Sequence, residues 1–283
     1  MMKILCGTSS QNLGNDLAIK MNVECVHANA KRFPDGECYV RIERDLLDRE
    51  IVLVQNTHPD DNFVELLFMV DAARSLGAEK VTCIIPYLGY SRQDRRFNPG
   101  EALSAQVMLR HLESEADRLI TIDLHKPEIL SWVKGIPTMD LHAEPAVGRF
   151  FRDSGVDLVL APDKGATKRA EEVGRLIGVE YDHLIKTRLS GSEVKITPSQ
   201  IDAKDKSVLI VDDIISTGGT IIAATNELKR LGARSVIAAC THGLFIAGAL
   251  EKLKMTCDRV VSTNTLESEV SKISVAEEIA KVI

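Results

Sequence analysis

The sequence predicts an α/β protein made of two duplicated domains, each a mainly parallel sheet flanked by helices, and three observations carry that expectation. Short apolar runs alternate with helical patterns along the whole chain. Similar segments recur at a fixed offset. The length of 283 residues, 45% of them hydrophobic, exceeds what one ordinary domain needs and is enough to bury a core in each of two.

In the first half the apolar runs are KILCG from Lys3, IVLVQ from Ile51, VTCIIPY from Val81 and LITID from Leu119. In the second they are LVLAP from Leu158, VLIVDD from Val208, VIAAC from Val236 and VVSTN from Val260. Runs this uniformly apolar suit strands buried on both faces, as in parallel sheets. Leu76-Gly77-Ala78 and Leu231-Gly232-Ala233 each end a helix with glycine and lead into a strand, 155 positions apart. At that offset Lys3–Cys6 maps onto Leu158–Ala161, and Val52–Val54 onto Ser207–Leu209. Asp117-Arg118-Leu119 and Asp258-Arg259-Val260 match at an offset of 141, so the second copy is shorter before its fourth strand. The boundary falls between Pro137 and Arg149, giving expected domains of residues 1–142 and 143–283. Within the first, Lys31 to Arg41 holds Pro34-Asp35-Gly36 between two extended runs and reads as a protruding hairpin. Ser190-Gly191-Ser192 marks a loop.

Several function classes are disfavoured. The apolar stretches are far too short to span a membrane and no charged-then-apolar leader is present, so a soluble cytoplasmic protein without a membrane partner is expected. A net charge of -6 argues against nonspecific nucleic-acid binding. The six cysteines show no C-x-x-C spacing and are expected to act as small hydrophobes rather than as a disulfide or metal framework. No G-x-G-x-x-G follows a predicted strand, which disfavours a nicotinamide-binding enzyme.

The most informative run is VLIVDDIISTGGT, Val208 to Thr220: a buried strand, two adjacent carboxylates, a short linker, then Thr217-Gly218-Gly219-Thr220 opening a helix. Glycines let backbone approach a phosphate, and free N–H groups at a helix start, with the hydroxyls of Ser216, Thr217 and Thr220, donate to it. Asp212 and Asp213 can accept from two vicinal ribose hydroxyls or reach a metal through water.

These residues resemble the phosphoribosyl-diphosphate loop shared by type I phosphoribosyltransferases and ribose-phosphate pyrophosphokinases, and the resemblance implies two phosphoribosyltransferase-like domains. Arg32-Phe33-Pro34-Asp35-Gly36-Glu37 and Pro86-Tyr87-Leu88-Gly89-Tyr90-Ser91-Arg92-Gln93-Asp94-Arg95 resemble the ATP-binding segments of the pyrophosphokinases, which a transferase has no reason to contain. Thr121–His125, Ala161–Gly165 and Lys186-Thr187-Arg188 extend the similarity across nearly the whole chain. The resemblance implies transfer of the β,γ-diphosphate of Mg-ATP to the 1-hydroxyl of ribose 5-phosphate, with AMP leaving.

Phe33 can stack on a purine, and Asp35 and Glu37 can accept from its amino group. Arg92 can hold phosphate or stack on the base, with Gln93, Asp94 and Arg95 beside it. The resemblance further implies His125 and Asp163 as ligands of Mg²⁺, a metal suited to few protein ligands plus substrate phosphates. It implies Lys186 and Arg188 as catalytic residues of a loop closing over the phosphates. It also implies at least a homodimer, the hairpin reaching into a neighbour's ATP site. The rival readings are a phosphoribosyltransferase, which the ATP segments oppose, and a noncatalytic regulatory subunit, which the presence of both cations opposes.

Overall fold

The computed structural model describes residues 2–43, 49–188, 194–198 and 202–283. Two compact units emerge: Met1–His142 with Thr265–Glu267 and Val275–Ile283, and Ala143–Asn264 with Ser268–Ser274. Each half of the sequence thus gives its unit a nearly continuous body, while Thr265–Glu267 and Val275–Ile283, expected in the second domain, belong to the first unit.

The first unit is built on β1 (Lys3–Cys6), α1 (Gln11–Met21), β2 (Cys25–His27), β3 (Asn29–Arg32), β4 (Cys38–Arg41), β5 (Glu50–Val54), α2 (Asp60–Ser75), β6 (Lys80–Ile85), α3 (Ser104–Glu115), β7 (Arg118–Ile122) and β8 (Thr138–Leu141). Its sheet is six-stranded in the order β2-β1-β5-β6-β7-β8, parallel throughout, with β3 and β4 forming a separate antiparallel hairpin. The second unit has α4 (Glu144–Phe151), β9 (Leu158–Ala161), α5 (Thr167–Ile177), β10 (Glu180–Arg188), β11 (Val194–Pro198), β12 (Ser207–Ile215), α6 (Gly219–Arg230), β13 (Ser235–Gly243), α7 (Ala249–Thr256), β14 (Arg259–Thr263) and β15 (Ser271–Ile273). Its strand order is β11-β10-β9-β12-β13-β14-β15, parallel except for β11. Setting β11 aside, the two orders are the same, as the 155-residue offset requires. The last helix, α8 (Ala276–Ala280), packs on α1 in the first unit, and α4 packs on α5 in the second.

The cores follow the apolar runs. In the first unit Leu5, Leu53, Cys83 and Leu119 from four strands meet Leu66, Met69, Val70 and Ala73 of α2. In the second Leu158, Ile210 and Ala238 meet Ile221, Ala224 and Leu228 of α6. The duplication extends to hydrogen bonds. Gly77 and Gly232, at φ 99° and 88°, end α2 and α6 with the same pair of closing bonds, Ala78 N–H to Ala73 O and Ala233 N–H to Leu228 O. Asp117 accepts from Val81 N–H (2.6 Å) and pairs with Arg74, while Asp258 accepts from Val236 N–H (2.8 Å) and pairs with Lys229. Each copy uses a carboxylate just before its fourth strand to fix the start of its third. Among the described residues no helix is long and apolar enough to cross a membrane.

Asp258→Ala is expected to lower stability by about 1 kcal/mol, the value of a hydrogen bond to a charged group reduced for a half-exposed site. Donation from Val236 N–H is the main cause that holds the Asp258 carboxyl below the usual carboxylate range. The stabilisation is therefore present above the unfolded value near pH ~4 and is lost as pH falls through the lowered folded value. Chemical denaturation of both proteins at neutral and acidic pH checks this, since a gap that persists in strong acid contradicts it.

Candidate active site

In the second unit the central strands β9, β12 and β13 bring the loops at their C-terminal ends to one edge, where open parallel sheets place ligands. Asp212 and Asp213 occupy the end of β12, Asp212 paired in register with Cys240 of β13. The chain then turns at Gly218, whose φ of 73° and a would-be Cβ only 3.1 Å from the Leu253 side chain both favour glycine. No side chain caps α6, and Ile222 is the first of its residues to bond inward, to Gly218 O at 2.9 Å. The N–H groups of Gly219, Thr220 and Ile221 therefore lack intrahelical acceptors. With exposed Thr217 and half-buried Ser216 and Thr220 beside them, they form an anion cradle at a positive helix end.

The two carboxylates differ. Burial, with the Asp213 charge next door, pushes the Asp212 carboxyl up to about 8. Asp213 N–H donates to Asp212 Oδ1 (2.9 Å) and Ile214 N–H to Asp213 Oδ1 (2.8 Å). Proton binding at this end of β12 is thus favoured in the substrate-free protein relative to an isolated carboxylate. Behind it lies a small cavity lined by Asp212, Thr241, Cys240 and an ion pair of Arg169 in α5 with Glu144 in α4 at 2.8 Å. The Arg169 guanidinium opposes the rise at Asp212. Sequence reading missed Glu144 and Arg169 because they sit in ordinary helical patterns and meet only when α4 packs on α5.

Asp163 follows β9 and begins a short 3-10 turn at Lys164–Ala166, its Oδ1 accepting from Gly165 N–H (2.8 Å) and Ala166 N–H (3.3 Å). Its Oδ2 has no hydrogen-bond partner among the described residues, and the side chain is exposed. The parallel pairing of β10 stops at His183, opposite Ala161, and from Leu184 to Arg188 it pairs with β11 instead. The backbones of Lys186 and Arg188 hence extend beyond the C-terminal end of β9. Their side chains, and Ser190, Gly191 and Ser192, lie outside the described residues.

In the first unit Phe33, Asp35 and Glu37 sit in the turn of the β3–β4 hairpin, all exposed. Phe33 N–H bonds Glu37 O (2.9 Å) and Asp35 Oδ1 accepts from Glu37 N–H (3.0 Å), so the turn holds itself and leaves Phe33 41% exposed. The 86–95 segment leaves β6 along a buried path, fixed by Tyr87 N–H to Asn56 Oδ1 (2.7 Å) and Gly89 N–H to Thr57 Oγ1 (2.8 Å). It emerges at Tyr90, and Arg92 and Arg95 are exposed while Gln93 and Asp94 are half-buried. Both segments anchor on the start of α2: Arg32 pairs with Asp61 (3.2 Å) and the Tyr90 hydroxyl donates to Asp60 (2.8 Å). The structure therefore gathers the two predicted ATP segments at one helix end. Asn56 and Thr57, which hold the second of them, carry no motif in the sequence. His125 is exposed just past β7, after a left-handed Asp123 at φ 45°, and Leu124 N–H is held by the Asp140 carboxylate. Burial pushes that Asp140 carboxyl up to about 6. Taken each in its own unit, the exposed His125 imidazole and the exposed Asp163 carboxylate are donor types that Mg²⁺ accepts in small number, since it keeps most of its shell for water and phosphate.

Residues 2–115 match the family model for the N-terminal domain of ribose phosphate pyrophosphokinase, and residues 144–278 match the phosphoribosyl transferase domain. The chain is 41% identical over 286 residues to a ribose-phosphate pyrophosphokinase of Pyrococcus abyssi, covering 99% of this chain and 98% of that one. It is also 41% identical to the Methanopyrus kandleri enzyme of the same name, covering 100% and 98%. The crystal structure of phosphoribosylpyrophosphate synthetase from Mycobacterium smegmatis superposes with a TM-score of 0.82 at 28% identity, covering 99% of this chain and 96% of that one.

The raised Asp212 carboxyl has a consequence for the substrate-free protein. Its folded value of about 8 exceeds the unfolded value, so its contribution is fully present below pH ~4 and declines as pH rises through 8. Asp212→Asn removes the titration, so its stability relative to wild type is expected to rise across that window. Denaturant titrations of both proteins from pH 5 to about 9 check this; a constant difference contradicts it.

Proposed function

The chain belongs to the ribose-phosphate pyrophosphokinase family and makes phosphoribosyl diphosphate from ribose 5-phosphate and ATP, and from that premise we propose how its residues divide the work. The β12–α6 junction carries the proposal. Ser216, Thr217, Gly218, Gly219 and Thr220 bind the 5-phosphate, and Asp212 and Asp213 accept from the ribose hydroxyls. Phe33 stacks on the adenine, Asp35 and Glu37 receive its amino group, and Arg92, Gln93, Asp94 and Arg95 complete the nucleotide contacts. His125 and Asp163 are ligands of Mg²⁺, which when bound neutralises phosphate oxygens.

Attack by the ribose 1-hydroxyl on the β-phosphorus needs alignment and charge neutralisation more than covalent help from the protein. Lys186 and Arg188 supply positive charge as it redistributes between attacking and leaving oxygens. The exposed hairpin serves the ATP site of a second copy, so the working form is a homodimer or larger, in the cytoplasm. Release of AMP from ATP and ribose 5-phosphate by the purified chain is the assay in which these roles are tested.

Phe33→Ala is expected to raise the KM for ATP about tenfold or more and leave that for ribose 5-phosphate unchanged, since stacking on a base is worth roughly 1–3 kcal/mol. Unchanged ATP saturation removes Phe33 from the site. Lys186→Ala is expected to lower kcat about 10²- to 10³-fold with little change in either KM, as for loss of one transition-state donor. Near wild-type turnover rejects that role.

A further inference from the structure

The cysteine spacing in the sequence shows no metal motif, yet the sheet register assembles one. In the first unit β1 and β2 run parallel with Cys6 opposite His27 and Ile4 opposite Cys25. Side chains two apart on a strand share a face, so Cys6, Cys25 and His27 meet on the same side of this strand pair. The Sγ atoms and a His27 ring nitrogen all lie within 4.8 Å of one another, and Cys25 Sγ is 4.0 Å from His27 Nε2. Cys6 is buried, Cys25 half-buried and His27 exposed, so the group opens outward along an edge strand.

The covering helix makes room for it. A Cβ on Gly14 of α1 would stand 2.1 Å from Cys6 Sγ and 3.8 Å from Cys25 Sγ. The second copy provides a contrast within the same chain. There His183 faces Ala161 as His27 faces Cys6, and Tyr181 faces Val159 as Cys25 faces Ile4. The histidine is retained but both thiols are gone, and Ala170 stands on α5 where α1 has Gly14.

We propose that Cys6, Cys25 and His27 bind a soft divalent metal ion, Zn²⁺, with the fourth coordination position open to solvent. Two thiolates and an imidazole select Zn²⁺ over the harder Mg²⁺. With Zn–S near 2.3 Å and Zn–N near 2.0–2.1 Å, tetrahedral ligand atoms stand about 3.5–3.8 Å apart, so closure asks for a contraction of only about 1 Å. Binding takes place when the two thiols give up their protons to solvent. This site is separate in ligand type from the Mg²⁺ of the reaction.

The test uses the reduced full chain titrated with Co²⁺ as a spectroscopic stand-in, then with Zn²⁺. A thiolate-to-cobalt charge-transfer band saturating at one equivalent, displaced by Zn²⁺ but not by a roughly hundredfold excess of Mg²⁺, is expected. Cys25→Ser should abolish the band, and His27→Gln should weaken Zn²⁺ binding at least about tenfold, since even outer-shell changes cost that much. Both positions have solvent access, so the variants should fold, and unchanged circular dichroism and AMP release confirm it. Absence of the band, a band unchanged in Cys25→Ser, or Zn²⁺ affinity unchanged in His27→Gln overturns the proposal.

Discussion

Strand register is the constraint on which the rest of this structure depends. In a parallel sheet every strand ends at the same edge, and a slip of one residue turns each side chain to the opposite face. The second unit fixes its register at the edge away from the site: Asp157 accepts from Ser207 N–H (2.8 Å) and pairs with Arg234, and Asp258 holds Val236. These carboxylates set Val208 opposite Leu158 and Val236, and the ladder carries that alignment up to Asp212 opposite Cys240. Displacement of β12 by one position would exchange the faces of Asp212 and Asp213 and move the start of α6 with them.

That dependence explains what could be read directly from the sequence. Apolar strands, closing glycines at 77 and 232, and the acid pair followed by Ser216–Thr220 are local patterns, each dictated by a few consecutive residues. The β3–β4 hairpin was equally legible because Pro34-Asp35-Gly36 specifies its own turn. The supports were not. Asn56 and Thr57 hold a loop some thirty residues away, and Glu144 meets Arg169 only once α4 and α5 pack. Cys6 and Cys25 are brought together by pairing of β1 with β2, with nothing in their spacing to announce it. Contacts that need two elements to arrive together leave no periodic trace in one of them.

The polar residues around the site show why tight packing and chemistry coexist here. Burial raises the Asp212 carboxyl above the usual range, and the Arg169 guanidinium opposes that rise. The N–H groups of Gly219, Thr220 and Ile221 take the opposite course, left without internal acceptors at the start of a helix. A site with both features in place before substrate arrives needs little rearrangement to receive it.

One feature of the architecture bears on how the chain acquires its shape. Helix α8 comes after β15 in the sequence but completes the unit that contains α1, while α4 follows β8 and lies on α5. A nascent polypeptide lengthening from its amino end therefore produces α1 long before the segment that covers it. The earlier-made half must remain incomplete, with that surface exposed to solvent and to other chains, until ribosomal synthesis has passed through the whole of the later half.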